Sequence, residues 1–400
     1  MRPNKTQLLP NDRLIHVNGI PSAYIEGHTR AAAIDKRLAD IYVRHTRIGD
    51  PLADAAVEDL ASLSREQASR FIQAGMNQDE GVLRNAPKSL RNVFAEPEPP
   101  WLDHEAFRPG ARAFMTNVVN VFAAFVAGTL IDGFSTLISE SFVQTGRIFD
   151  NGVRRLRQNN RHQVEIFWPN GLQRYGDGWK LSVRIRFVHA QVRHLLSHSP
   201  EWDSSVFGTP ISAAHMGYSL ACFSARTLKH SETLGAVYSG QERESFCAVW
   251  RYAGHLMGVP DAVLYTDEED ALKWYAIGSA CEPAPTDNAV LMAHALINSA
   301  PLVAGITDPA ARKKLVSQTI FPVSRFLVGN DLADKLRLPK SGMLKMRFAL
   351  SQFRMNNALG KLLRRNDHGL VEAFGASLYD NAGLSYDMPD HVHAEESSSW

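Results

Sequence analysis

Trp179-Lys180-Leu181-Ser182-Val183-Arg184-Ile185-Arg186-Phe187-Val188-His189-Ala190-Gln191-Val192-Arg193 is the run on which the reading of this chain turns. Taken as a helix, it sets His189 on one face with Ile185, Val192 and Leu196, its i−4, i+3 and i+7 neighbours. Arg186 and Arg193 flank the imidazole on the same side. A titratable ring pointing into an apolar layer has two readings. It is a core histidine with a hydrogen-bond partner, or it holds a metal or a haem. The run by itself leaves both open.

Working outward from it, the pattern is helix after helix. Phe107 to about His198 reads as helical, punctuated by Gly128, Gly133, Gly146 and Gly152, and Trp168-Pro169-Asn170-Gly171 breaks the chain before the His189 helix. Beyond Gly208-Thr209-Pro210 come a helix over Ser212 to Leu228, one opening with Ser239/Glu242 and one opening with Thr266/Glu269. Upstream, Leu52 to Leu63 and Ser64 to Ala74 read as helices, the second with a Ser64/Gln67 capping box. Glu96-Pro97-Glu98-Pro99-Pro100-Trp101 cannot be helix interior and reads as a rigid connection. Alternating β patterns are weak, so the expectation is an all-α protein. Its parts are an irregular and helical extension over 1–100, a central helical core over 101–300, a C-terminal helical extension over 301–384 and a polar tail over 385–400.

The composition narrows the function classes. A chain of 400 residues can bury a large core, and a net charge of +1 offers no global attraction to nucleic acid or anionic membranes. The basic stretch from Arg312 to Arg365 is scattered among Leu, Met and Phe, which suits a solvated helical surface, and no nucleic-acid-reading motif accompanies it. Cys222, Cys247 and Cys281 are odd in number and widely spaced, matching neither a zinc pattern nor a disulfide scaffold. With no standard secretory signal in Met1 to Ile20, the expected location is the cytoplasm. The uncharged stretch from Ala113 to Ile131 approaches the length of a membrane span. Thr116, Asn117, Asn120 and Thr129 favour a buried or pocket-lining helix, so no stable transmembrane insertion is expected.

Two motifs together suggest a family. Gly152-Val153-Arg154-Arg155-Leu156-Arg157-Gln158-Asn159, followed by Val183 to Arg193 with His189 inside it, resembles the MpaB-type oxygenase family. That family includes the latex-clearing proteins, which are b-type haem dioxygenases. Gly208-Thr209-Pro210-Ile211-Ser212 and Trp250 to Pro260 look like further landmarks, so the resemblance spans roughly Trp101 to Pro283. It implies a globin-like helical core that binds haem b, with His189 as the axial iron ligand and Arg155 near the cofactor. Where the latex-clearing proteins place a distal lysine and a threonine, this chain has Gln158 and Asn159. An amide is a poor iron ligand, so the resemblance implies a different distal side.

The implied chemistry uses dioxygen on an apolar unsaturated substrate, such as an isoprenoid or a lipid. Arg155, Arg186 and Arg193 are the candidate cofactor contacts, since guanidinium groups suit haem propionates. Interhelical ion pairs are the alternative for the last two. Gln158 and Asn159 are candidates for the distal pocket. Glu140, by analogy with the latex-clearing carboxylate, is a candidate base, against a plain helical glutamate. Two rival functions stand beside this one. A non-haem metal enzyme would use His162/Glu165 and His194/His198 with Glu140 or Glu282. A cofactor-free helical binding protein would use none of them.

Overall fold

Residues 19–144 and 152–362 are described by a computed structural model, apart from the side chains of Arg155, Met343, Asn357 and residues 361–362. Helix α1 (Ile25–His45) bends at Asp35, whose carboxylate accepts the Leu38 N–H and restarts the helix. Four helices follow, α2 (Pro51–Ala61), α3 (Arg65–Met76), α4 (Glu80–Leu83) and α5 (Lys88–Phe94). Asp50 caps α2, with Pro51 in its first turn, and the Ser64/Gln67 capping box opens α3 as predicted. Glu96 to Trp101 is non-helical, as its prolines require.

The apolar stretch from Ala113 to Ile131 is not one helix. It is divided among α6 (Arg108–Thr116), α7 (Val118–Ala124), a π-helical turn (Phe125–Thr129) and α8 (Leu130–Phe134), with an 84° bend between the halves. Asn117 makes the break. Its backbone leaves the helical region, and its side-chain amide donates to Ala113 O and across to Val237 O. Among the described residues no single helix is long and apolar enough to cross a membrane.

The central body contains α9 (Ile138–Gln144), α10 (Gly152–Phe167), α11 (Asp177–Ser197), α12 (Ser204–Phe207) and α13 (Ala213–Ala221). A π-helical turn (Cys222–Arg226) carries α13 into α14 (Thr227–Thr233); α15 (Gly240–Leu256), α16 (Glu268–Cys281) and α17 (Asp287–Val303) complete it. The Ser239/Glu242 box opens α15 as predicted, whereas α16 is capped one residue later than predicted, by Asp267 with Asp270. The remaining helices are α18 (Pro309–Leu315), α19 (Phe321–Val328), α20 (Asn330–Lys335) and α21 (Met343–Leu362). There is no strand among the described residues, and the all-α expectation holds.

Buried apolar side chains from Ile20 to Leu296 form one contiguous core, with Phe167 packed between Phe114 and Phe246 at ring distances of 4.6 Å each. Helix α11 runs through this core against α2, α10 and α15. It is buried on nearly every side, including Trp179, Phe187 and Ala190 as well as the predicted Ile185, Val192 and Leu196. A helix so placed has little amphipathic contrast. Its arginines must therefore find carboxylates inside the fold.

Candidate functional site

The two motif-bearing helices form an antiparallel pair. Their turn closes backbone on backbone: a Cβ at Gly171 would lie 1.9 Å from Glu165 O, which only glycine avoids. Further out, His162 Nε2 lies 2.9 Å from Ser182 Oγ, and that hydroxyl donates onward to Gly178 O. The imidazole is therefore the donor to the serine. Burial pushes its pKa down to about 3, so it is neutral.

The His162–Ser182 contact sets the register. Seven residues further along each helix, about 10.5 Å away, stand Arg155 and His189. Seven residues return a helix to nearly the same face. His189 thus shares a face with Ser182, and position 155 shares one with His162. Gln158 and Asn159 fall between them at i+3 and i+4 and join the same stripe. Gln158, Asn159 and His189 are all half-buried. The Arg155 side chain lies outside the described residues, so this position is placed by its backbone alone. The fold brings the two halves of the motif to one level of one helix pair.

Arg186 and Arg193 are held elsewhere. Arg186 donates to both oxygens of Asp50, at 2.5 and 3.0 Å, and to Glu96 Oε2 at 2.6 Å. Arg193 donates to Asp54 Oδ1 at 2.7 Å and to Ile211 O at 3.2 Å. Burial alone would lower the Arg186 pKa, but the Asp50 and Glu96 carboxylates hold it above its ordinary value. This arrangement supports the interhelical ion-pair reading of both arginines and lends none to propionate binding. Gly258, inside the Trp250–Pro260 landmark, belongs to the same network. At φ +81°, a Cβ there would lie 1.9 Å from Asp50 Oδ2 and 2.7 Å from Arg186 Nε. Nothing but hydrogen fits against the pair.

Glu140 is buried, and both its oxygens are engaged, by Thr286 Oγ1 at 2.5 Å and Asn288 Nδ2 at 2.7 Å. Thr286 caps α17, so Glu140 fastens the start of that helix. Glu282 accepts from the Tyr42 hydroxyl at 2.7 Å and from Leu137 N–H at 3.0 Å, and lies 3.3 Å from His215 Nε2. Glu165 pairs with Arg161. The carboxylates and histidines of the rival metal reading are therefore dispersed; His194 and His198 meet Glu58 at the surface instead.

Among the buried charged groups that sequence reasoning missed is Asp132. Asp132 is fully buried just beyond the Phe125–Thr129 π-helical turn, accepting from Arg226 Nε at 3.1 Å, at the end of the Cys222–Arg226 turn, and from His230 Nε2 at 2.9 Å. Burial would raise its pKa, but Arg226 and His230 outweigh that and hold it below the usual carboxylate value. Burial in turn lowers the pKa of His230, against the pull of Asp132. A single aspartate inside Leu130-Ile131-Asp132-Gly133-Phe134 was the available signal. The paired π-helical turns mark the place in the structure.

Residues 112–355 match the family model described as ER-bound oxygenase mpaB/B′/rubber oxygenase, catalytic domain. The chain belongs to this oxygenase family. A curated relative, the rubber oxygenase of a Streptomyces species, is 26% identical over 312 residues, covering 74% of this chain and 71% of the relative. The solved structure of a latex clearing protein in its closed state overlays with a TM-score of 0.66 at 20% identity, covering 86% of this chain and 95% of that one. That likeness concerns the fold, and it agrees with the globin-like helical bundle implied by the motifs. The family match runs beyond the Trp101–Pro283 stretch marked by those motifs, through most of α21. In this chain His189 stands on α11 and position 155 on α10. The chain carries amides at 158 and 159.

Proposed function

We propose that this oxygenase binds haem b through His189 and uses dioxygen on an apolar unsaturated substrate, an isoprenoid or an unsaturated lipid. The observation that carries the reading is the shared level of His189 and the Arg155–Asn159 stripe on the α10–α11 pair. The donor set fits haem. Among the described residues His189 belongs to no group of three metal-ligating side chains. Haem brings its own nitrogen donors, so one protein imidazole, that of His189, would be enough to hold it. Bound there, haem iron would supply activation of dioxygen for attack on an electron-rich double bond.

The chain's own residues do the rest. His189 would hold the cofactor from α11, a helix fixed in place by its ion pairs to Asp50, Glu96 and Asp54. Gln158 and Asn159 offer amide donors on the opposing stripe, able to orient a polar group but not to ligate as an amine does. Arg155 would contact the cofactor, as the family motif implies. The engagement of both Glu140 oxygens supports an anchoring role for it over proton removal. The rubber named for the Streptomyces relative is one member of the proposed substrate class.

The test is turnover by haem-loaded protein under ¹⁸O₂ with a panel of isoprenoids and unsaturated lipids. Label in the product, dependent on His189, is the expected result. Full haem loading with no substrate-dependent oxygen uptake across the panel would overturn the reading.

A further inference from the structure

We infer that Glu58, His194 and His198 form a divalent transition-metal site on the outer surface, one that clamps α2 to α11. Their ligand atoms lie within 4.8 Å of one another, although the three residues come from helices far apart in sequence. His194 lies in the last turn of α11 and His198, four residues on, caps the end of that helix; their rings lie side by side, with centroids 4.5 Å apart. Glu58 reaches them from α2, with Oε2 at 2.9 Å from His194 Nδ1. Two imidazoles and one carboxylate are a donor set that zinc accepts, with solvent completing the coordination.

The orientation of His198 is a second, independent observation. Its Nδ1 lies 2.7 Å from the His194 carbonyl oxygen. A carbonyl can only accept, so the proton sits on Nδ1 and the lone pair on Nε2. Metal-ligating histidines are commonly oriented this way, by an outer hydrogen bond that fixes the tautomer. The site lies five residues along α11 from His189. It is separated from the haem reading by its ligands and by its exposure: the Glu58 side chain is 64% exposed, which leaves room for water ligands. A metal here would brace the layer that also supplies Asp50 and Asp54 to the α11 arginines.

The experiment is Zn²⁺ titration of the full chain against a chromophoric chelator, with His198→Ala and Glu58→Ala alongside. Both substitutions change exposed side chains and should leave the fold intact, which far-UV circular dichroism checks. The inference predicts one Zn²⁺ per parent chain. It predicts a loss in each variant at least as large as the ~10–100-fold that losing an outer hydrogen bond to a metal ligand costs. It also predicts that Zn²⁺ raises the thermal midpoint of the parent and not of His198→Ala. No zinc bound by the parent, or equal affinity in the folded variants, would overturn it. Neither readout depends on haem or turnover.

Discussion

Gly258→Ala should be among the most damaging single-methyl additions in this protein, for reasons that can be summed. The backbone stands at φ +81°, where a residue with a Cβ pays roughly 1–2 kcal/mol. The added methyl would also lie 1.9 Å from Asp50 Oδ2, so the carboxylate must leave its bidentate contact with Arg186. Separating a buried ion pair costs about 3–5 kcal/mol. Together these give about 4–7 kcal/mol, a large share of the ~5–15 kcal/mol that holds a typical domain folded. Equilibrium urea unfolding measures it directly. The informative control is the same substitution in an Asp50→Ala/Arg186→Met background. There the clash partner and the ion pair are gone, and only the backbone cost of about 1–2 kcal/mol should remain. A loss below about 1.5 kcal/mol in the parent, or equal losses in both backgrounds, would refute the reasoning.

Three further outcomes follow from the same geometry. His162 is neutral in the fold, its pKa lowered from 6.5 to about 3, so below pH 6.5 the unfolded chain takes up a proton that the folded chain refuses. Its stabilising contribution is thus complete above pH 6.5 and is lost as pH falls toward 3; His162→Gln should flatten the pH dependence of urea unfolding there by up to ~1.4 kcal/mol per unit, and an unchanged slope would contradict this. Glu140→Ala strips Thr286 and Asn288 of their shared acceptor and should cost about 1–3 kcal/mol in the same assay. Gln158→Lys places an amine on the stripe facing α11, and haem-loaded variant should show a nitrogen-ligated low-spin visible spectrum absent from the parent; identical spectra would count against the distal placement of position 158.

The parts of the fold legible in the sequence are those with local causes. Ser64/Gln67 and Ser239/Glu242 are reciprocal caps closed within one turn, and both open helices as predicted. At α16 two acceptors compete, and Asp267 caps Asp270 N–H where Thr266 was expected to cap. The break in the apolar stretch at Asn117 was not legible, because the Val237 carbonyl that receives its amide is 120 residues away in sequence. The same limit applies to the arginines of α11. Arg186 and Arg193 share an arc with His189, and from the run alone cofactor contact and ion pairing look alike. The deciding carboxylates, Asp50 and Asp54, lie well over a hundred residues upstream. Gly258 carried a signal in its turn-forming setting, but its purpose appears only when the Asp50–Arg186 pair is seen pressed against it. His189 and the Arg155 motif are paired in the sequence only by the family resemblance. The structure adds that the helices carrying them, α10 and α11, pack together and meet at His162 and Ser182, seven residues from each.

The central claim is that His189 holds haem, and a haem titration followed by ultraviolet–visible absorption tests it most directly, on the parent and on His189→Ala. The parent should bind one haem per chain with a Soret band, while the variant, folded by circular dichroism, should show much lower occupancy and a changed coordination spectrum. Equal occupancy with an unchanged spectrum in His189→Ala would contradict the claim.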